Sequence, residues 1–405
     1  MTPSARGPAV ERSASNSARL AARWESRVQR SAHPLVYPAL RAVPGPLLRV
    51  PGLGVLVRDP ELVREALMRP EVFAKNGPGT SSDLWTPVLG EKVLLNMSGQ
   101  DHQLLRRKLS PLFTPGFVDV LSRKSLSSPL AELGEKLASG EPVDLVQQAH
   151  LFSSVVISQL VGLPAEQIHN DRLYQSIHEI SGTVSLRKLS LAEGEVIAAR
   201  RIMGDLSEHA TLAYRNGDPD TVPGRMRELG LSEEEALGAV GAFALTGTET
   251  LTAYLPRLIA LLIDSGWLPR LARDRSLLEP AIAEGLRVTT PVLVMLRRVR
   301  TAAQLGKHHF DAGERLILLG FRINHAAGRF NPVANPSAKL KQLWFGAGAH
   351  FCLGAPLAMA QIRLVLETLL DVAEELGPES TLRIRSRQTA RKVLIPAYRQ
   401  LRVSR

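Results

Sequence analysis

Only one cysteine, Cys352, occurs among the 405 residues, in the run Phe345-Gly346-Ala347-Gly348-Ala349-His350-Phe351-Cys352-Leu353-Gly354. No other feature constrains the fold so sharply. Cys352 has no disulfide partner within the chain, so its role is either packing or ligation. Gly346, Gly348 and Gly354 permit positive φ and let the backbone approach a flat ligand closely. Residues 353–369 read as a helix that starts at the cysteine. Amides and dipole at such a helix start lower a thiol's pKa and address its sulfur. Phe345 and Phe351 are expected to shield that sulfur from water, with His350 at the rim holding a donor to spare. The ordinary alternative for a lone cysteine is a buried structural residue in a glycine turn.

Three other runs carry chemistry. Glu284-Gly285-Leu286-Arg287 sets a carboxylate and a guanidinium at i, i+3 on one helix face, close enough to pair. By spacing alone this is a common solvated ion pair. The apolar stretch from Ala236 to Ile263 is interrupted by Thr246-Gly247-Thr248-Glu249-Thr250. A carboxylate inside such a helix is costly without a partner or a task, and the flanking hydroxyls suggest a hydrogen-bonded proton route beside the notch at Gly247. Pro256 removes a backbone hydrogen bond and frees the Thr252 carbonyl, so a kink or tightening is expected there. In Asp101-His102-Gln103-Leu104-Leu105-Arg106-Arg107, His102 and Arg106 fall at i, i+4 and can grip a doubly anionic ligand edge together.

The string Phe-Gly-x-Gly-x-His-x-Cys-x-Gly followed by Pro356-Leu357-Ala358 resembles the haem-binding loop of the cytochrome P450 family, whose members hold haem iron by a cysteine thiolate. The resemblance covers roughly residues 44–398, with the motifs in family order and spacing. It implies a mainly α chain with a small β region, the triangular helical haem domain of that family. It makes Cys352 the ligand of the iron of haem b. It makes His102, Arg106, Arg297 and His350 the cage for the haem carboxylates, with Phe345, Gly346 and Gly354 shaping the cradle. Glu284 and Arg287 become a structural brace. Carried over residue by residue, Gly247 makes room for dioxygen in a widened stretch of the central helix, Thr250 is the alcohol of the oxygen site and Glu249 the acid of the relay. The implied substrate pocket takes Trp85, Val88, Leu89 and Leu94 from one loop and Val240, Phe243 and Thr246 from the central helix. Thr290, Val292 and Leu293, then Leu394 and Ile395, complete it. Nearly all are apolar, which favours a lipophilic small molecule of secondary metabolism.

The implied activity is a monooxygenase that hydroxylates such a molecule with O2. The same scaffold also supports epoxidation, desaturation or oxidative coupling. A haem protein that binds or senses small molecules without turnover is the alternative of another class, and the Glu249-Thr250 pair speaks against it. No flavin or iron–sulfur module is recognisable, so electrons are expected from a ferredoxin and its reductase.

The formal net charge is +11, and residues 1–50 hold eight Arg against two acidic residues. Residues 1–32, rich in Ser and Ala, read as a mobile basic tail, and 33–405 as a single haem domain. Aromatic residues are nearly absent from the tail and no reading motif is present, which argues against nucleic acid. Arg106, Arg107 and Lys108 are expected to help dock an acidic electron-donor protein. No long apolar run or signal segment opens the chain, so a cytoplasmic monomer with no membrane contact is expected.

Residues 47–50 and 54–58 read as a hairpin around Pro51-Gly52, followed by a helix over 59–67. Residues 71–96 read as a Gly/Pro/Ser-rich loop. Helical periodicity covers 144–161, 171–185, 191–216 and 232–263, and strands return near 293–300 and 314–319. Two departures from the family pattern stand out. The segment 330–341 is short and lacks an Arg to join Glu284 and Arg287, leaving Lys339 or water as substitutes. Met359 and Gln361 stand where many relatives carry Arg and Glu.

Overall fold

The structure is a computed structural model that describes residues 8–162, 190–219, 221–321, 328–336, 343–377 and 382–405. The helix expected over 171–185 and Lys339 lie outside those residues. Seven helices precede the first gap: α1 Pro8–Ala32, α2 Val36–Arg41, α3 Pro60–Met68, α4 Ser81–Leu89, α5 Gly99–Leu109, α6 Pro115–Ser139 and α7 Leu145–Val161. Six more follow: α8 Glu193–Asn216, α9 Val222–Glu228, α10 Glu233–Asp264, α11 Leu268–Arg273, α12 Leu278–Val288 and α13 Ala355–Glu375. The strands are β1 Leu47–Val50, β2 Gly54–Val57, β3 Phe73–Ala74, β4 Val143–Asp144, β5 Met295–Val299, β6 Ala303–Leu305, β7 His308–Phe310, β8 Arg315–Leu318, β9 Arg383–Thr389 and β10 Tyr398–Ser404.

Local chemistry accounts for the element starts. Asp59 caps α3 by accepting from the amides of Glu61 and Leu62 at 3.0 Å, with Pro60 at the first helical position. Ser232 and Glu235 form a reciprocal capping box at the head of α10. That helix runs unbroken through Pro256 for 32 residues and is buried along most of its second half. It is the axis of the main core, packing on α7, α8, α12 and α13.

A five-stranded sheet in the order β1-β2-β8-β5-β3 stands to one side, antiparallel except for the β2/β8 pair. A three-stranded sheet, β4-β10-β9, closes against α7 and α10. The 71–96 segment departs from the loop expectation. Phe73 and Ala74 pair with Val299 and Arg298 as β3, and α4 forms over Ser81–Leu89. Tertiary pairing supplies what the Gly/Pro content withholds.

The N-terminal expectation needs correction. Residues 8–32 form a helix, not a tail, and it is docked on α10. Glu25 and Arg257 are 6% and 1% exposed and form an ion pair, with Arg257 Nη1 donating to the Pro396 carbonyl at 3.1 Å and Gln29 Nε2 to Glu25 at 2.7 Å. Ala21 and Val28 are buried beside them. The apolar positions are too widely spaced among Ser and Arg to announce this contact, which an ion pair supplies instead. Among the described residues no helix is long and apolar enough to cross a membrane.

Candidate functional site: a cysteine sulfur facing a basic cage

The loop before α13 folds back on itself. The Cys352 amide donates to the Phe345 carbonyl at 2.9 Å, and Gly346 and Gly348 take φ of +76° and +67°. At Gly348 the need for glycine is steric as well, since a Cβ would lie 2.7 Å from the Leu67 carbonyl oxygen. Helix α13 starts at Ala355, behind Gly354 and with Pro356 at its second position, two residues later than the sequence suggested. The effect on the sulfur survives the shift, because the amides of Gly354 and Ala355 donate to it.

Cys352 is exposed and lines a cavity. Burial pushes the thiol's pKa up, while those two amides and the charges of Arg106 and Lys75 pull it down. A metal cation set against the sulfur adds the decisive term and favours the thiolate. Phe345 and Phe351 meet edge to face at 6.1 Å beside it.

A cavity of about 400 Å3 opens above the sulfur. One wall is α10 with Phe243, Thr246, Gly247 and Thr250; the rim carries Lys75, His102, Arg106 and His350. The His102 and His350 rings lie 4.2 Å apart, with His350 Nδ1 3.2 Å from His102 Nε2. The outer nitrogens, His102 Nδ1 and His350 Nε2, are buried without a partner. Arg297 stands behind them in β5, 7% exposed, its pKa lowered by burial to about 10. Burial, then Lys75, lowers His102 to about 4 and His350 to about 2. Lys75 itself falls to about 7, through burial first and then the charges of Arg297 and Arg106. No carboxylate appears among the causes of any of these shifts.

Five basic groups pressed together round two orphaned ring nitrogens are the complement of a flat ligand with two carboxylates. The residues present fit a haem, which the glycine-lined cradle and the sulfur would hold from below. Lys75 is the member that sequence reasoning missed. It follows β3 directly and its Nζ donates to the Leu94 carbonyl at 3.2 Å. No spacing ties it to His102.

Expected residues separate into two cavities. Leu94, Phe243, Thr246, Gly247, Thr250 and Val292 line the one above Cys352. Trp85, Thr246, Glu249, Thr250, Leu394 and Ile395 line a second of about 990 Å3. The two share Leu95, Thr246 and Thr250. Val88, Leu89, Val240, Thr290 and Leu293 line neither. Val88 and Val240 are core side chains, Leu89 packs against that core, Leu293 joins Tyr37 and Phe321 in a separate cluster, and Thr290 is fully buried with an unpartnered hydroxyl. Hydropathy cannot tell a cavity wall from a packed core.

The widened central helix is also absent: residues 246–250 are regular α-helix, and each Thr of 246, 248, 250 and 252 donates back to the carbonyl four residues earlier. Of the basic trio in α5, Arg106 points into the cage and Lys108 pairs with Glu235 at 2.9 Å, leaving Arg107 exposed. Glu284 and Arg287 are 1% and 2% exposed and doubly bonded at 2.6 Å. A third member does join them: Asn335 Nδ2 and the Asn331 amide donate to Glu284 at 2.8 and 2.9 Å, and Arg287 donates to the carbonyls of Gly328 and Arg329. Gln361, one of the departures, lines the cavity with a buried, unpartnered Oε1.

This fold sets a cysteine sulfur facing a cation-ringed slot, an arrangement that fits a thiolate-held haem. The family description Cytochrome P450 matches residues 272–374, which contain the Glu284/Arg287 brace and the Cys352 loop. Among curated proteins, the chain is 29% identical over 294 residues to a C-19 steroid 1alpha-hydroxylase of Sorangium cellulosum, covering 68% of this chain and 73% of that one. It is 27% identical over 334 residues to a mycinamicin IV hydroxylase/epoxidase of Micromonospora griseorubida, covering 79% and 78%. The crystal structure of P450BioI superposes with a TM-score of 0.77 at 20% identity, covering 93% of this chain and 99% of that one. Over these spans the chain is similar to bacterial cytochrome P450 monooxygenases, a likeness that carries a haem-thiolate cofactor with it. Such enzymes take electrons from redox partners and act on lipophilic molecules.

Proposed function

We propose that this chain binds haem b through Cys352 and hydroxylates a lipophilic small molecule of secondary metabolism with O2, using electrons from a ferredoxin and its reductase. The observation that carries the reading is the pairing of the Cys352 sulfur with the α10 wall of Thr246, Gly247 and Thr250 across one cavity. Bound there, a thiolate-held haem supplies dioxygen activation. The rest falls to the protein. The amides of Gly354 and Ala355 steady the charge on Cys352. His102, Arg106, Arg297, His350 and Lys75 would hold the two carboxylates of that group. Phe345 and Phe351 keep water from the sulfur.

Protons have a route through the shared wall. Thr250 Oγ1 donates to the Thr246 carbonyl at 2.8 Å, which leaves its lone pairs free to accept from elsewhere. Glu249, half-buried, faces the larger cavity, so a proton taken there by the carboxylate can pass to Thr250 and on into the cavity above Cys352. Epoxidation is the second reading, favoured by the double name of the mycinamicin IV relative.

The test is the absorption spectrum of the purified protein, reduced under carbon monoxide, followed by turnover in 18O2. A strongly red-shifted Soret band and one labelled oxygen per product are the expected results. A spectrum of histidine-ligated or unbound haem would overturn the reading.

A further inference from the structure

The larger cavity does not end in apolar surface. Arg23, Arg27 and Arg30 succeed one another at i, i+4 and i+7 along α1, share one face, and are exposed. The tip of the hairpin joining β9 to β10 lies across that face. There the Lys392 amide donates to the Ser31 carbonyl at 3.4 Å, and the hydroxyls of Thr389 and Ser31 meet at 2.9 Å. Arg391 and Lys392 at this tip, with the three arginines of α1, line a groove of about 710 Å3.

Two further observations mark the groove as built for an anion. The acidic residues of the region are already engaged, Glu25 by Arg257 and Asp264 by Arg387, so none of the five cations has an ion-pair partner among the described residues. Concentrating like charge without a counter-ion works against the fold and raises the local concentration of anions. In addition, Lys392 has φ of +57°, the one positive value at a non-glycine among the described residues. A Cβ disfavours that conformation, and strain of this kind persists where the surroundings impose it for a purpose. Here it turns the hairpin tip so that two cations sit over α1. Arg27, Arg391 and Lys392 border both this groove and the larger cavity, which leads past Leu394 and Ile395 to Thr246 and Thr250.

We propose that the substrate is an amphiphile whose anionic headgroup, a carboxylate or a phosphate ester, is held by Arg27, Arg391 and Lys392 while its apolar body reaches towards Thr250. The proposal rests on the monooxygenase reading and names the substrate class for it. It converts a purely lipophilic pocket into one with a charged anchor, which selects the position on the chain that is presented for oxidation.

The holoenzyme is titrated with dodecanoate, dodecyl phosphate, methyl dodecanoate and dodecylamine at low ionic strength. Readouts are the Soret shift and the quenching of tryptophan emission. Trp24 reports the site directly, because it lines the cavity with the guanidinium of Arg387 4.0 Å and that of Arg27 4.9 Å from its ring. The expected result is that one or both anions bind about ten-fold or more tightly than the ester and the amine, as a charge-assisted contact implies. The stronger of the two identifies the headgroup. In Arg391→Gln/Lys392→Gln, whose sites are exposed, the preference should fall to about two-fold and lose its salt dependence. Equal binding of anions and ester by the unsubstituted protein, or a preference that survives the double substitution, would overturn the proposal. The carbon monoxide spectrum of the same preparation separates that outcome from failure of the haem-thiolate reading.

Discussion

His350 Nδ1 lies 3.2 Å from His102 Nε2, and each ring keeps its other nitrogen buried and unpartnered. Such a pair cannot both carry protons beside Lys75, Arg106 and Arg297, and burial with those charges holds the two pKa values near 4 and 2. Unfolded, both titrate at about 6.5. The unfolded chain therefore gains protons first as the pH drops, so the stability due to these rings is complete above pH 6.5 and is lost from there down towards pH 4 for His102 and pH 2 for His350. The urea midpoint of haem-free protein should be lower at pH 5.0 than at 7.5. A dianion in the cage favours the protonated rings, so the loaded protein should show a smaller drop. The drop should also shrink in His102→Gln/His350→Gln; an undiminished one would remove the histidines as its cause.

Lys75 completes the cage from a different element. Replacing it by Ala removes a cation from the rim of the cavity, and haem transfer to apomyoglobin should speed up about ten-fold or more. Lys75→Arg should restore most of the retention. Unchanged transfer rates would mean that the ammonium points away from the ligand.

Thr250 sits where the two cavities meet. Thr250→Ala should keep the carbon monoxide spectrum and consume about ten-fold or more electrons per product, at the lower end of what a positioned proton donor contributes. Glu249→Gln should slow turnover with a changed solvent isotope effect. Equal coupling in the Thr250→Ala and parent proteins would remove the relay role.

Glu25 and Arg257 join the first helix to the central one at almost no exposure. Glu25→Ala strands a buried guanidinium and should cost about 3–5 kcal/mol in chemical denaturation. The double variant Glu25→Ala/Arg257→Met should recover part of that loss. A cost below about 1 kcal/mol would mean that α1 is weakly held.

Much of the candidate site was legible because its motifs are local. His102 and Arg106 share a face of α5 at i, i+4, Glu284 and Arg287 pair within α12, and the glycines around Cys352 bend one loop. Spacing along a helix sets such juxtapositions whatever the rest of the chain does. Lys75 and Asn335 depend instead on where a strand and a meander end in space, and nothing in their neighbourhoods signals it. The pocket lining shows the same boundary, since Phe243 and Val240 are both apolar members of α10, yet one faces the cavity and the other the core. The first 32 residues mark its furthest point. Their composition alone suggests a solvated tail, and only the tertiary structure, by bringing Arg257 to meet both Glu25 and the Pro396 carbonyl, makes residues 8–32 a packed helix with a basic face turned to a groove. Sequence thus determined the cysteine loop, the brace and the helical axis, which are short-range; the tertiary structure decided which charges remain unpaired, because pairing depends on contacts between residues hundreds of positions apart.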